Sequence, residues 1–83
     1  MPNTDLASLQ PGQMGTIVHL HTEPGLHQRL LALGFRTGRQ VLMIRRGWLS
    51  GPLHVRIGTT EVMLRRREAR EVGITDVSTG ASL

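Results

Sequence analysis

The sequence predicts a mainly β domain: a small, highly bent barrel of about five strands, with one short helix between strands one and two. Three observations carry this. The chain has 83 residues, room for one core and not two. Hydrophobic residues make up 39% and charged ones 19%, the balance of a globular domain. Short runs with period-two alternation recur along the chain, divided by glycine and proline, as the strands of a small barrel do. Closing the barrel would also remove exposed strand edges.

The elements follow in order. Asp5-Leu6-Ala7-Ser8-Leu9 ahead of Gln10-Pro11-Gly12 reads as one helical turn stopped by a Pro-Gly breaker, a lid on the core. Thr16 to His21 is the first strand, with Val18 and Leu20 inward against His19 and His21 outward. Pro24 suits a first helical turn, and Leu26, Leu30 and Leu33 recur at helical spacing until Gly34, a natural helix stop. Leu31 falls off that stripe and adds apolar surface beyond what the helix buries. Gln40 to Arg46 is nearly continuous in apolar residues through Ile44, the pattern of a central strand covered on both faces. Gly47, Gly51 and Pro52 break the chain, and Trp48 between them reads as a packing lid. Leu53, Val55 and Ile57 alternate with His54 and Arg56, Gly58-Thr59 supplies a tight turn, and Thr60, Val62 and Leu64 alternate on the return. Arg65 to Glu71 makes one helical turn centred on Glu68 and Ala69, followed by a short strand from Ile74 to Val77. A single domain over residues 1–77 and a flexible tail over 78–83 complete the division.

Two absences remove whole classes of chemistry. Without cysteine there is no thiol nucleophile, disulfide scaffold or thiolate zinc finger. Without lysine there is no Walker A loop and no Schiff base. None of Ser8, Ser50, Ser78 and Ser82 lies on a nucleophile elbow, so the expectation is a protein that is not an enzyme. No aliphatic run approaches the roughly 20 residues of a membrane span. The N-terminus lacks the basic start and apolar stretch of a secretory signal, so a cytoplasmic location is expected. The net charge of +4 comes wholly from arginine and suits an acidic partner surface.

His19, His21 and His54 are the candidate metal ligands. His-x-His on a strand puts two imidazoles on one face about 6.5 Å apart along the backbone, and Glu23 joins them only if the chain turns at Pro24. With no closed ligand set visible, the plainer reading is exposed histidines that take up metal when offered. No cofactor is required, and a surface-bound divalent ion, zinc or iron, is the most these residues suggest. The Arg45-Arg46 and Arg65-Arg66-Arg67 clusters could contact phosphate, but with only Phe35 and Trp48 as aromatics a stacking platform for nucleic acid is missing.

Gln28 to Gly38, QRLLALGFRTG, resembles the signature of FeoA, the small cytoplasmic accessory protein of bacterial ferrous iron transport. The order around it is also similar: Leu9-x-x-Gly12-x-x-Gly15 before it, then Gly51-Pro52-Leu53-His54-Val55 and Val62-x-Leu64-Arg65-x-x-Glu68-Ala69. The match runs from about Leu6 to Val77. The chain departs from the family pattern at Thr37, where proline often precedes the glycine, and at Trp48, where the loop often has proline. The resemblance implies an SH3-like barrel that docks beside the membrane transporter FeoB on its cytoplasmic side, with no membrane insertion of its own. Related domains end some iron-dependent repressors, so a basic nucleic-acid-binding or repressor-type accessory domain is the alternative, and self-association stays open. Docking asks for an apolar anchor with a polar rim. The helix offers Leu26, Leu30 and Leu31 beside Arg29 and Arg36, with Leu26 and Leu31 expected as the exposed anchor and the arginines as steering charges.

Overall fold

The computed structural model describes residues 4–79. Six antiparallel strands form one sheet: β1 (Thr4–Asp5), β2 (Gln13–Leu20), β3 (Gln40–Arg46), β4 (Leu53–Ile57), β5 (Thr60–Leu64) and β6 (Val72–Thr79), in the spatial order β1-β6-β2-β3-β4-β5. The strand count exceeds expectation by the two-residue β1, which pairs Thr4 with Ile74 and Asp5 with Gly73. β1 and β5 remain the two edges, so the strongly bent sheet is not closed. Helix α1 (Pro24–Ala32) lies between β2 and β3, and the four-residue α2 (Arg66–Ala69) leads into β6. The last strand runs past Val77, with Ser78 opposite Met14 and Thr79 opposite Gln13. Those two residues belong to the sheet rather than to a tail, and the rest of the expected tail lies outside the described residues.

The core is a single cluster of aliphatic side chains around Phe35, closed at one end by the 3-10 turn Leu6–Ser8. Leu6 and Leu9 are buried there, as the lid reading expects. What holds the lid is a charge absent from that reading: the Arg46 guanidinium donates to the carbonyls of Ala7 and Leu9, each at 2.7 Å. The apolar alternation of β4 and β5 is seen as read, with Leu53, Val55, Ile57, Val62 and Leu64 all inward. Gly58 has φ +60 and opens the two-residue turn between paired Ile57 and Thr60, a backbone conformation that costs glycine little.

Two strands differ from expectation. In β2 the pairing slips between Ile17, opposite Ile74, and His19, opposite Gly73. Val18 is thus the extra residue of a bulge, and a bulge reverses which positions face inward. Ile17 is fully buried before it, Leu20 packs on the core after it, and Val18 is only half-buried. In β3, Val41 and Met43 are buried while Leu42 and Ile44 are half-buried, so one face is covered fully and the other in part.

Helix α1 ends as its sequence dictates. Gly34, at φ +101, turns the chain out of the helix; its amide donates to Leu31 at 3.0 Å and that of Phe35 donates to Leu30 at 2.9 Å. This crossed pair is a Schellman cap, and the buried side chains of Phe35 and Leu30 give it the apolar contact that goes with it.

Candidate functional site

The helix presents its residues unequally. Leu30 is fully buried in the core and closed to any partner. Leu26, expected as half of an exposed anchor, is half-buried and packed against the core, because the i, i+4 pair it makes with Leu30 points at the sheet. Leu31 is half-buried and is not among the side chains packed on the core. Gln28 and Ala32 are exposed beside it, Arg29 is exposed on the opposite flank of the helix, and Arg36 is exposed just past the cap. One leucine with a polar surround is therefore what α1 offers outward.

Arg29 is not a free charge. Its guanidinium donates to Glu68 Oε1 at 3.0 Å, and the same oxygen accepts the Arg65 amide at 3.0 Å, capping α2. Burial pushes the Glu68 carboxyl up, but the Arg65 amide and the Arg29 guanidinium outweigh it and hold the group below its ordinary value. Glu23, Leu26, Arg67, Glu68 and Glu71 line a shallow concavity beside this pair. Glu23 is the exposed N-cap residue of α1 and its side chain makes no cap hydrogen bond.

The histidines separate into two environments. The His19 and His21 rings lie together with centroids 4.1 Å apart. His19 Nδ1 is buried without a partner, and the ring rests on Gly73 so closely that a Cβ there has no room. His54, on β4, takes part in a different cluster. Its Nδ1 lies 3.4 Å from the Arg45 guanidinium and its Nε2 2.8 Å from Glu61, so both ring nitrogens have a partner. Glu61 also accepts from Arg56 at 3.3 Å, and Arg56 first and His54 second hold its carboxyl below the usual value. Among the described residues, no three histidine or acidic side chains come together in an arrangement that could hold a metal. The three expected ligands are therefore two neighbours and one outlier.

The feature the sequence reading misplaced is the loop after β3. Trp48 is 86% exposed and Leu49 78% exposed, so Trp48 is no lid. Leu49 and Ser50 both adopt left-handed backbone, with φ of 50 and 64, which turns the two apolar side chains away from the core. Arg66 holds the loop from beneath, donating to the carbonyls of Gly47 at 2.9 Å and Gly51 at 3.0 Å. The run of glycines around a lone tryptophan was the available signal.

The model of the FeoA domain matches residues 4–76. The chain belongs to the FeoA domain family. That family is associated with ferrous iron transport. Among solved structures, the FeoA of Stenotrophomonas maltophilia, complexed with zinc and described as an SH3 domain protein, is 27% identical, with a TM-score of 0.83 over 94% of this chain and 99% of that one. The iron(II) transport protein A of Clostridium thermocellum is 30% identical with a TM-score of 0.81, covering 86% of this chain and 44% of that one. A manganese-dependent transcriptional repressor, 19% identical with a TM-score of 0.79 over 88% of this chain and 41% of that one, shares the fold. No curated protein sequence matches significantly. The SH3-like architecture is thus that of an FeoA domain, here with an open six-stranded sheet. Among its described residues no helix is long and apolar enough to cross a membrane.

Proposed function

We propose that this FeoA-family domain is a non-catalytic docking module of ferrous iron uptake that binds the cytoplasmic face of the membrane transporter FeoB. The observation that supports it is the outer face of α1 in a chain that overlays an FeoA protein over 94% of its length. Leu31 is half-buried and is not among the side chains packed on the core, with exposed Gln28 one helical turn before it and exposed Arg36 just past the helix cap. An apolar centre with a polar rim is the anatomy of a protein contact. Arg36, exposed and without an acidic partner among the described residues, is the steering charge, whereas Arg29 is committed to Glu68.

The test is binding to purified transporter in detergent, with wild type, Leu31→Asp and Arg36→Glu compared. Leu31→Asp should abolish binding while circular dichroism stays native. Arg36→Glu should slow association more than it speeds dissociation, and added salt should do the same. Equal retention of all three proteins would place the contact elsewhere on the domain.

A further inference from the structure

The loop over residues 47–52 combines three properties that the transporter reading leaves unused. It shows two large apolar side chains, Trp48 and Leu49, almost fully to solvent. It holds them in a fixed pose: Gly47 donates to Pro52 at 2.8 Å, Gly51 donates to Trp48 at 3.0 Å, and Arg66 spans both ends of the turn. It also forms one wall of a shallow concavity of about 480 Å³, lined by Ser50, Gly51 and Pro52 on one side and Arg65, Arg66, Arg67 and Arg70 on the other. No carboxylate lines that concavity. Two consecutive residues in left-handed backbone are disfavoured unless the surroundings fix them, and here the surroundings do so while bringing both apolar groups outward.

We propose that the Trp48–Leu49 tip and the arginines beside it form a membrane-contact site that seats on an anionic lipid surface. The charge complementarity is direct: Arg65, Arg67 and Arg70 are exposed, and guanidinium groups close to a bilayer are drawn to anionic headgroups. The apolar pair projects from a turn and does not line a groove, so it needs a partner that yields to its shape. The boundary between headgroups and acyl chains does so, and an indole with an apolar body and a polar N–H favours that depth. The contact is peripheral, with the tip inserted and the rest of the domain outside. It is independent of docking by α1, since it needs lipid alone.

The test uses protein-free vesicles of phosphatidylcholine, with and without phosphatidylglycerol. Wild type should sediment with the anionic vesicles only. Emission from Trp48, the one tryptophan of the chain, should shift to the blue and be quenched by brominated acyl chains. Trp48→Ser/Leu49→Ser should weaken partitioning roughly tenfold or more. Arg65→Gln/Arg67→Gln/Arg70→Gln should weaken it about fivefold per arginine, and both variants should keep the native circular dichroism. Three results would each overturn the proposal: no sedimentation with anionic vesicles, sedimentation with Trp48 emission unmoved, or a blue shift without vesicles that grows with protein concentration. The last would make the tip a contact between copies of the chain. Because the vesicles contain no transporter, none of these results touches the reading of α1.

Discussion

Arg29 and Glu68 sit 39 positions apart and meet at 3.0 Å, joining the one long helix to the short turn that precedes the last strand. Glu68 is the more buried partner, with 14% of its side chain exposed against 50% for Arg29. The pair links α1 to α2 and removes one arginine from the free charge of the helix face.

A pH dependence follows from that carboxylate. Its folded value lies below the ordinary 4.5, so the native state binds fewer protons than the unfolded chain as pH falls through that range. The stabilisation is fully present above the unfolded value and is lost as pH falls through the folded one. Glu68→Gln should therefore cost about 1 kcal/mol at pH 7, discounted for the exposure of Arg29, and lower the melting temperature by about 4–8 °C. The gap to wild type should close in melts taken at progressively lower pH. A gap that persists into strong acid would mean that packing, and not charge, carries the effect.

Gly73 opposite His19 sets a steric condition on the centre of the sheet. A methyl group at residue 73 would overlap the His19 ring, and β2 and β6 are paired on both sides of that point. Gly73→Ala should destabilise by about 1–3 kcal/mol, measured by urea unfolding. Adding His19→Ala should recover most of the loss, since the obstructing ring is then gone. Equal losses in the single and double variants would show that backbone freedom, not the ring, requires glycine.

Local signals were legible in the sequence and long-range ones were not. Gly34 after Leu30 and before Phe35 marks the Schellman cap because every partner lies within six residues. Gly58-Thr59 marks its hairpin for the same reason. The bulge at Val18 carries no such mark: it arises from how β6 meets β2, and it splits an alternation that looks continuous. The arginine clusters misled in the same way. Arg46 and Arg66 read as phosphate contacts, yet their guanidinium groups serve backbone carbonyls of segments 15 to 39 residues away. Trp48 reads as a packing lid in a glycine-bounded turn, and what turns it out is left-handed backbone at Leu49 and Ser50, residue types that do not announce that conformation. The family signature covers the second half of the helix whose outer leucine is the docking candidate, but only the fold separates Leu31 from Leu30.

Arg46 should behave as a structural residue. Its one nitrogen satisfies two carbonyls at the end of the Leu6–Ser8 lid, and charge-assisted hydrogen bonds of this kind contribute about 1.5–3 kcal/mol. Arg46→Ala should cost about 2 kcal/mol and raise hydrogen exchange at Leu9, whose amide closes the turn onto Leu6. Exchange unchanged at Leu9 would show that apolar packing of Leu6 alone keeps the lid shut.

Zinc titrated into the protein should distinguish the two histidine environments. Ring resonances of His19 and His21, whose centroids lie 4.1 Å apart, should shift together, and those of His54, held between Arg45 and Glu61, should not. Uptake should be weak, since two imidazoles leave half of a tetrahedral shell to water. His54→Ala should leave the titration unchanged. A His54 shift matching the other two would disprove this assignment.

The adjacent leucines of α1 give the sharpest separation of fold from contact. Leu30 packs beneath Phe35 in the Schellman cap and is wholly buried, so Leu30→Ala removes core volume that the fixed cap cannot refill and should cost about 2–5 kcal/mol. That is enough to unfold much of a domain this small. Leu31, one residue on and rotated about 100° around the helix, loses little by the same truncation, about 0.5 kcal/mol. Urea unfolding of the two alanine variants measures both numbers on one instrument. A large loss at Leu31 would make it a core residue and withdraw the docking face from α1. A small loss at Leu31 beside a large one at Leu30 leaves a half-exposed leucine that folding does not need, which is the condition a docking anchor has to meet.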